Sequence, residues 1–377
     1  MKLIYISNFM NHHVKSITDE LYYHLGDDFM FVETEQIRSN QSLKGGELSD
    51  FVDLPYLYSL YNDTYTKISE DKLLFLLKEC DVIIQGAAKD KYIKSKLRQN
   101  GLIFRVSEHI LKGGKWDLIR VVKYFLRNLK IRNREVYLLS ASSHAASDMR
   151  KCKSFFRKSY KWGYFPTIFN EGNLDISGYI TNILWVGRMI EWKHPEYIIY
   201  TAKILRKRNI SAKITAIGNG PELQCLKSKV IEEGLDHFIT FKKTVSSDEV
   251  QREMRKSDLF LFTSDIGEGW GAVLNESLGN GCIPIANKTA GSTGFLINDR
   301  RNGFIYDDSV DSFSRTLEEA LTMSKDRVRE MKLAAYKSIE DEWSAKIAVE
   351  RLLSFIDSKE SADEWNPYPE GPMSIAR

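Results

Sequence analysis

Short runs of β-branched and other apolar residues alternate with amphipathic, helix-like stretches along most of this 377-residue chain. A strand-length run, a helix and another run form the pattern of parallel β-α-β construction. The pattern predicts an α/β protein with two doubly wound, Rossmann-like domains. The predicted strands of the first half lie within "KLIYIS" (2–7), "DVIIQG" (81–86), "LIFRVS" (102–107) and "VYLLSA" (136–141). Those of the second half lie within "NILWVG" (182–187), "AKITAIG" (212–218), "DHFITF" (236–241), "DLFLFT" (258–263) and "CIPIAN" (282–287).

The length of the chain also favours two domains, because one hydrophobic core rarely serves more than about 250–300 residues. Proline, glycine and polar residues interrupt the apolar pattern at 165–179. We therefore expect a first domain at 1–170, a second domain at 178–342, and a cleft near the seam between them.

Several classes of protein fit the sequence poorly. The opening "MKLIYISNFMNHH" has too short an apolar run for a signal peptide, and nowhere do eighteen apolar residues follow one another, so we expect a cytoplasmic protein without a transmembrane helix. The four cysteines show no C-x-x-C spacing, which argues against a metal site. The segment "SNFMNHH" lacks the G-x-G-x-x-G of a nicotinamide-dependent oxidoreductase.

Open parallel sheets bind ligands beyond the carboxyl ends of their strands, so the residues after each run are the candidate site. Gly187, Arg188 and Lys193 follow the first run of the second half. A guanidinium and an ammonium near a helix start suit a diphosphate. Gly218 and Gly220 follow the next run, in a turn that either faces a phosphate or base or is an ordinary strand-to-helix turn. The two interpretations of this turn carry equal weight.

The segment "EGWGAVLNES" (268–277) places two glutamates eight positions apart behind a glycine-rich turn. We expect Glu268 in the loop and Glu276 about one and a half turns into a helix, with their carboxylates roughly 10 Å apart. That separation is too long for one acid–base pair but suits the two hydroxyl-bearing ends of a nucleotide sugar, with a diphosphate between them. The alternative is that Glu276 faces solvent. A later loop with Gly291 and Gly294 could direct backbone amides at the same phosphates.

Together these motifs resemble the retaining glycosyltransferases of family 4, also called glycosyl transferases group 1, which have the GT-B fold. The resemblance covers about 182–307 and lies in the "GR" with its following lysine, the "GNGP" turn, the Glu-x7-Glu motif and "NGFIYD". It implies that Arg188 and Lys193 bind the donor diphosphate and take part in catalysis, that Glu276 holds the ribose, and that Glu268 contacts the donor sugar. The implied donor-binding set is Gly187, Gly218, Gly220, Glu268, Gly269, Trp270, Gly271, Glu276, Gly291 and Ser292.

The resemblance also implies the chemistry and a structural detail. Such enzymes transfer a sugar with retention of configuration and without a metal or cofactor, and the leaving phosphate takes the acceptor's proton. Parts of the first half resemble a subgroup that builds surface polysaccharides or lipid-linked glycans, so a glycan or polyprenyl-linked acceptor is expected. The C-terminal helix, about 343–377, is expected to pack back on the first domain. The tail "ESADEWNPYPEGPMSIAR" contains proline and acidic residues, and its composition predicts a loosely ordered segment.

The first half offers fewer candidates. His109 lies near where many family members place a histidine beside the transferred sugar, and Glu108 is its rival. His12 and His13 replace the usual glycine-rich loop, and they either touch the acceptor or cap a helix at the surface. We retain His12, His13 and Glu108 as acceptor-binding candidates.

The stretch from 89 to 134 is strongly basic, with fourteen Lys or Arg against three acids. Within it, "KWDLIRVVKYFLRNLKIRNR" (115–134) spaces Trp116, Ile119, Val122, Phe125, Leu126 and Leu129 near helical period. This apolar stripe either packs in the core or docks on anionic lipid at the inner face of the membrane. No recognition motif supports nucleic acid as a partner.

Two alternatives of other classes remain open from sequence. A GT-B nucleotide-sugar epimerase would convert its substrate without an acceptor. A non-catalytic, two-lobed binding protein would share the architecture, but it would give Arg188, Lys193, Glu268 and Glu276 no reason to occur together.

Overall fold

The computed structural model describes residues 1–36, 51, 53–114, 116–168, 174, 177–361, 365 and 367–377. These residues form two compact units. Unit 1 comprises Met1–Thr167 together with Ser344–Arg377, and unit 2 comprises Ile168–Trp343. Within the predicted seam at 165–179, residues 169–173, 175 and 176 lie outside the described residues.

Unit 1 contains one parallel sheet with the strand order β4-β3-β2-β1-β5-β6-β7-β8. Its described strands are β1 (Leu3–Ser7), β2 (Phe29–Glu33), β3 (Leu57–Ser59), β4 (Thr66–Lys67), β5 (Val82–Gln85), β6 (Leu102–Ser107), β7 (Val136–Ser140) and β8 (Ser159–Lys161). Its described helices are α1 (His12–Leu25), α2 (Glu70–Glu79), α3 (Lys94–Arg98), α4 (Asp117–Asn128), α5 (Ala145–Lys151) and, from the end of the chain, α13 (Ala345–Glu360). Short 3₁₀ helices lie at Gly26–Asp28, Asp90–Ile93 and Leu129–Ile131.

The central strands of unit 1 are apolar without alternation because both faces of the sheet are covered. All residues of β1, β5 and β7 are buried, as expected for parallel strands between helices. Serine side chains cap two of these helices at their N-termini: Ser69 accepts from the Lys72 amide before α2, and Ser344 accepts from the Ile347 amide before α13.

The end of the chain is part of unit 1. Helix α13 packs against α1, and Phe355 contributes its ring to an aromatic cluster with Phe104 and Tyr137. The tail after α13, which its composition suggests is loosely ordered, instead runs antiparallel to β8, where the Lys161 amide donates to the Ser374 carbonyl at 2.7 Å. Met373 is fully buried. The expectation of a loose tail is wrong for 367–377, because this segment supplies hydrogen bonds to an edge strand.

Unit 2 contains a second parallel sheet, of strand order β11-β10-β9-β12-β13-β14. Its strands are β9 (Asn182–Val186), β10 (Lys213–Ile217), β11 (Ile239–Lys242), β12 (Leu259–Phe262), β13 (Ile283–Asn287) and β14 (Phe304–Tyr306). Its helices are α6 (Tyr197–Arg208), α7 (Leu223–Glu232), α8 (Ser247–Arg255), α9 (Val273–Gly279), α10 (Thr293–Leu296), α11 (Val310–Leu321) and α12 (Lys325–Glu340), and a 3₁₀ helix lies at Glu191–Lys193. The predicted α/β class and two Rossmann-like sheets are confirmed, and each predicted run contains a strand.

Strand order reverses once in each sheet. In unit 1 the chain builds outward from β1 in one direction and from β5 in the other, and in unit 2 the same happens at β9 and β12. The connections that leave two such neighbouring strands pass to opposite faces of the sheet, so a crevice opens at their carboxyl ends. These two crevices are therefore the candidate ligand-binding sites of the fold.

A buried ion pair fixes α12 to the unit 2 sheet at the amino ends of its strands, away from the crevice. The Lys332 ammonium lies 2.9 Å from one Asp258 oxygen, and both side chains are about 2% exposed. The other Asp258 oxygen accepts from the backbone amides of Thr181 and Asn182 at 2.8 and 3.0 Å. The charge of Asp258 is therefore compensated by a cation and by two backbone amides at the start of β9 and just before it.

We predict that Lys332→Met lowers the free energy of unfolding by about 3–5 kcal/mol, because it leaves Asp258 as a buried carboxylate without its cation. Urea unfolding measures this change. Adding Asp258→Asn to Lys332→Met removes the uncompensated charge and should restore part of the loss. Lys337→Met, an exposed substitution on the same helix, is the control. Equal effects of Lys332→Met and Lys337→Met would contradict the prediction.

Candidate active site

The crevice of unit 2 lies between the loop after β9 and the loop after β12. The Trp185 indole on β9 donates to the Thr263 hydroxyl at 2.9 Å, and that hydroxyl donates to the Lys193 carbonyl at 2.5 Å. The Asp265 amide donates to the Trp192 carbonyl at 2.9 Å. These bonds hold the two loops side by side, so cations from one loop face carboxylates from the other.

Lys193 and Glu268 form an ion pair inside this crevice. The Lys193 ammonium donates to Glu268 Oε2, and the Ser264 hydroxyl donates to the same oxygen at 3.1 Å. Burial acts to raise the pKa of Glu268, but Lys193, Ser264 and the charge of Arg188 outweigh it and lower that pKa below its usual value. Glu268 is therefore an anion next to the Lys193 cation. The sequence predicts that these two residues contact the same ligand.

Arg188 is the exposed cation of the crevice. Its guanidinium lies over the Trp192 ring, 5.7 Å from the ring centroid, and no described carboxylate forms an ion pair with it. Stacking orients the guanidinium plane without using its hydrogen-bond donors. Arg188 is thus positioned to bind an anionic ligand in the crevice.

His194 joins the two loops, and the sequence analysis missed it. Its imidazole nitrogens lie 3.0 Å from Glu196 and 3.1 Å from Asp265. The hydrogen bond with Glu196, together with Asp265, raises the pKa of His194 to about 9 against the effect of burial. His194 also has a left-handed backbone with φ of 46°. A histidine between two acidic residues far apart in sequence gives no local motif, so only the fold reveals this bridge.

Gly218 and Gly220 allow two loops to touch. A Cβ atom on Gly218 would lie 1.9 Å from the Gly187 carbonyl oxygen, and one on Gly220 would lie 2.3 Å from the Met189 carbonyl oxygen. The Met189 amide donates to the Asn219 carbonyl at 2.9 Å. Close backbone packing therefore accounts for both glycines. Ligand contacts at Gly187, Gly218 and Gly220 stay predictions.

Glu276 is buried and carries no compensating partner. It is 6% exposed, no described residue donates a hydrogen bond to its carboxylate, and burial alone raises its pKa to about 7. The alternative in which Glu276 faces solvent is wrong. Helix α9 begins at Val273, so Glu276 lies in its first turn rather than one and a half turns in, as the sequence suggested. A buried carboxyl with a perturbed pKa at a strand reversal is typical of a binding site.

The glycine-rich turn is built around a buried tryptophan. Trp270 is 1% exposed, and its indole donates a hydrogen bond to the Asn275 side chain at 2.8 Å. Only the backbone of Trp270 is therefore available for the predicted contact with a nucleotide sugar. Gly271 has φ of 84°, a conformation that favours glycine. The Gly291 and Ser292 amides donate to the Glu268 and Trp270 carbonyls at 3.3 and 3.2 Å.

The Gly291 and Ser292 amides therefore brace the turn, and the idea that they lie along a diphosphate does not fit these hydrogen bonds. The Ser292 hydroxyl is buried without a partner among the described residues, which keeps its side chain a candidate. Gly269 also keeps its predicted role of donor contact.

Unit 1 has a cavity of about 510 Å³ at its own strand reversal. Residues after β1, β5 and β6 line it, together with part of α1 and α4. The polar lining residues are Ser7, Asn8, Asn11, His13, Arg105, Ser107, Glu108, Tyr124, Arg127 and Tyr164. The Tyr164 hydroxyl donates to Glu108 at 2.6 Å and its ring stacks on His13 at 5.4 Å, so the cavity wall is fixed by aromatic and polar contacts.

The predicted residues of unit 1 separate into two groups. His13 and Glu108 line the cavity, whereas His109 does not. Burial and the neighbouring His12 lower the pKa of His13 to about 3, and its Nδ1 has no partner among the described residues. Asn11, whose side chain accepts from the His13 amide, caps α1, so neither histidine supplies the cap.

His109 is 3% exposed, with one ring nitrogen 2.9 Å from the Ser142 hydroxyl and the other 3.0 Å from the Lys112 ammonium. A catalytic role for His109 therefore requires a rearrangement of these contacts. Glu108 is the better placed of the two rivals, because its carboxylate reaches the cavity. The side chains of His12 and His13 are in contact, with ring centroids 3.8 Å apart.

Two arginines share one aspartate at the cavity wall, which no sequence motif suggested. Arg127 grips Asp90 with two bonds of 2.7 and 2.6 Å, and Arg105 donates to Asp90 at 3.1 Å. Burial would raise the pKa of Asp90, but the two guanidinium groups lower it to about 2. Arg105 also bonds Gln85 and Asn128, which ties α4 to the strands beneath it.

A second cavity does not contain the predicted site. It measures about 640 Å³, lies on unit 2 and is lined by residues near α12, including Asn298, Glu330 and Lys337. Among the described residues, no cluster of three or more His, Cys, Asp or Glu side chains could hold a metal ion. The predicted independence of metal remains untested.

The part of the chain that forms the unit 2 crevice is similar to proteins that are already known. Residues 179–338 match the family model described as "Glycosyl transferases group 1". The chain is 23% identical over 213 residues to a "GDP-mannose-dependent alpha-(1-6)-phosphatidylinositol monomannoside mannosyltransferase" of Mycobacterium tuberculosis. The match covers 55% of this chain and 51% of the relative, so the chain spans about half the length of the curated relative.

Solved structures show the same fold over nearly the whole chain. Anabaena HepE, crystallised with UDP, covers 95% of this chain and 100% of its own, with 12% identity and a TM-score of 0.68. The pneumococcal O-GlcNAc transferase GtfA, crystallised with UDP and GlcNAc, covers 95% of this chain and 99% of its own, with 12% identity and a TM-score of 0.62. At this identity the matches show the fold alone, which is the predicted GT-B fold.

We predict that Glu276→Gln stabilises the protein at alkaline pH. The pKa of Glu276 is about 7 in the folded chain and 4.5 as a free group, so stability falls as the pH rises from about 4.5 to 7. At pH 8 the glutamine variant should be more stable by about 1–3 kcal/mol, and at pH 4.5 the two should be equal. Urea unfolding at both values measures the difference, with Glu232→Gln, an exposed carboxyl, as control. Parallel pH curves for wild type and Glu276→Gln would contradict the prediction.

Proposed function

We propose that this chain is a retaining, metal-independent glycosyltransferase that moves a sugar from a nucleoside-diphosphate sugar to a glycan or polyprenyl-linked acceptor. The observation that carries the proposal is the unit 2 crevice. It joins the exposed guanidinium of Arg188, the Lys193–Glu268 ion pair and the buried carboxyl of Glu276. These groups lie at one strand reversal, within the residues that match the glycosyl transferase model.

Each group has a role in holding the donor. Arg188 and Lys193 bind the diphosphate, Glu276 accepts hydrogen bonds from the ribose hydroxyls, and Glu268 contacts the transferred sugar. A ribose hydroxyl would give the buried Glu276 carboxylate the donors that it lacks, and this offsets part of its desolvation. Nucleotide binding thus offsets part of the free-energy cost of burying Glu276.

The proposed reaction breaks the bond between the anomeric carbon and the diphosphate oxygen, and the acceptor oxygen forms the new bond on the same face of the sugar. The acceptor proton passes to the leaving phosphate, so no protein base is required. Negative charge grows on the diphosphate as the sugar becomes oxocarbenium-like. Arg188 and Lys193 stabilise that charge, and fixed cations do so without reorganisation during the reaction.

The acceptor is proposed to bind in the unit 1 cavity of about 510 Å³. Its wall offers the Glu108 carboxylate, the His13 ring and asparagine side chains, which are suitable partners for sugar hydroxyls. The Mycobacterium relative is named for a phosphatidylinositol mannoside substrate, which supports a lipid-linked glycan as the acceptor class. The proposed place of the reaction is the cytoplasm or the inner face of the membrane, in surface polysaccharide or glycoconjugate assembly.

Thermal unfolding with UDP, GDP, ADP, TDP or CMP, in the presence of EDTA, tests the donor site. A nucleotide at a hundred times its dissociation constant raises the free energy of unfolding by about 2.7 kcal/mol, which is readily measured. We expect one diphosphate to raise the melting temperature. Arg188→Ala should abolish more of the shift for this diphosphate than for its monophosphate, because Arg188 contacts the diphosphate.

Arg206→Ala is the matched control, since Arg206 lies in α6 and its guanidinium contacts the Glu233 carbonyl at the surface. The site assignment fails if Arg188→Ala and Arg206→Ala bind the nucleotide alike. No shift with any nucleotide would instead support the non-catalytic binding protein. Conversion of the nucleotide sugar to its epimer without an acceptor would support the epimerase.

The two sides of the donor site should give different kinetic effects. We predict that Glu276→Ala mainly raises KM for the donor, because the ribose contact is the same in the ground state and the transition state. Arg188→Ala should also lower kcat, by about 10–100-fold, because the charge it faces grows in the transition state. Steady-state kinetics with the identified donor separates these outcomes. Equal and small effects of both substitutions would contradict the assigned roles.

A further inference from the structure

Helix α4 presents an apolar stripe to solvent. Six of the sixteen large apolar side chains that are exposed in the described part of the chain lie between Trp116 and Leu129. Exposed apolar residues are normally scattered, so this concentration marks an interaction surface. The six are Trp116 (57% exposed), Leu118 (76%), Ile119 (58%), Val122 (52%), Leu126 (58%) and Leu129 (45%).

These residues share a face of the helix. Leu118 and Val122 are four positions apart, which places them in one row along α4, and Ile119 and Leu126 form the row beside it. Leu129 begins the 3₁₀ helix that follows α4. The opposite face packs on unit 1. There Asn128 is 1% exposed and accepts a hydrogen bond from Arg105, and Arg127 is bonded to Asp90. Hydrogen bonds from the polar face of α4 to the rest of unit 1 therefore keep the apolar stripe facing solvent. The alternative in which the stripe packs in the core is wrong.

Cations border the stripe. Lys123 and Lys130 are exposed, and within the described part of the chain neither forms an ion pair. The Arg132 guanidinium lies over the Phe125 ring at 5.4 Å. The nearby acids do not cancel this charge, because Asp117 is bonded to Arg120 and to backbone amides at the start of α4. The border is consequently positive.

A neighbouring loop extends the same surface. The Arg132 guanidinium donates to the Lys153 carbonyl at 3.0 Å, which ties the loop to the chain just beyond α4. Lys153, Phe155 and Arg157 all have positive φ. Between the last two, Phe156 is 54% exposed, and the flanking Lys153 and Arg157 are exposed as well. The loop thus repeats the pattern of an apolar side chain between cations.

We infer that α4 and the loop at Phe156 form a surface that docks on an anionic lipid bilayer. The stripe would enter the boundary between headgroups and acyl chains, and Lys123, Lys130, Lys153 and Arg157 would contact lipid phosphates. None of the described helices combines the length and apolar character needed to span a bilayer. Tyr124 and Arg127, on the inward side of α4, line the unit 1 cavity. Docking therefore brings that cavity close to lipid.

An anionic bilayer satisfies both features of the surface, whereas a second copy of the chain satisfies only one. In a self-association through the stripe, the apolar side chains would pack together, but the bordering lysines and arginines of both copies would be brought near each other. Like charges at such a boundary oppose association. Lipid phosphates instead supply the opposite charge at the depth of the flanking cations.

Flotation of the full chain with vesicles tests the inference. We expect binding to vesicles of phosphatidylglycerol and phosphatidylcholine, weak binding to phosphatidylcholine alone, and weakening as salt is raised. The triple variant Leu118→Ser/Val122→Ser/Leu126→Ser should lower the partition coefficient on anionic vesicles at least about tenfold, because it removes the aliphatic side chains that would leave water on docking. Lys123→Gln/Lys130→Gln should reduce binding to anionic vesicles selectively.

Phe75→Ser is the matched control, because Phe75 is 62% exposed on α2 of the same unit. Thermal unfolding of every variant with the nucleotide checks that the donor site is intact, so failure of docking and failure of the proposed function are distinguishable. Absence of wild-type flotation, equal binding to neutral vesicles or equal binding by the triple variant would overturn the inference. So would a concentration-dependent dimer in sedimentation that the triple variant abolishes.

Discussion

Both units depend on one geometric constraint, the reversal of strand order within a parallel sheet. At β1 and β5, and again at β9 and β12, the connections after neighbouring strands pass to opposite faces of the sheet. A crevice therefore opens at the carboxyl ends of these strands. Each crevice then collects side chains from loops that are distant in sequence. The cavity of unit 1 and the Lys193–Glu268 pair of unit 2 both arise in this way. Without the reversals, the connections after neighbouring strands would pass to the same face of the sheet, and no crevice would open between them.

The two ends of the unit 2 sheet treat buried charge differently. At the amino ends of the strands, Asp258 is compensated by Lys332 and by backbone amides, which is the arrangement of a structural ion pair. At the carboxyl ends, Arg188 is exposed to solvent, and Glu276 is buried without a hydrogen-bond partner among the described residues. An uncompensated carboxyl lowers stability and persists where function requires it. The contrast locates the candidate site independently of any motif.

Helix α4 has two faces with different surroundings. Its inward face carries Arg127, which bonds Asp90 and lines the cavity, and Asn128, which accepts a hydrogen bond from Arg105. Its outward face is apolar with a cationic border. Because the hydrogen bonds of the inward face fix the rotation of the helix, the apolar stripe cannot turn inward without breaking charge-assisted hydrogen bonds. The exposure of the stripe is therefore specified by the polar residues beneath it.

The sequence alone determined the α/β class and the nine predicted strands, because periodicity and local spacing report burial and strand ends. It also predicted that Arg188, Lys193, Glu268 and Glu276 belong to one site, of which the structure shows the Lys193–Glu268 ion pair. It did not reveal His194 between Glu196 and Asp265, Asp90 between two arginines, or the pairing of the tail with β8. It also left open which side of α4 is buried and whether Glu276 meets solvent. Those features depend on contacts between residues far apart in the chain, and only the tertiary structure fixes such contacts, since no local pattern records which distant charge or edge a residue will meet.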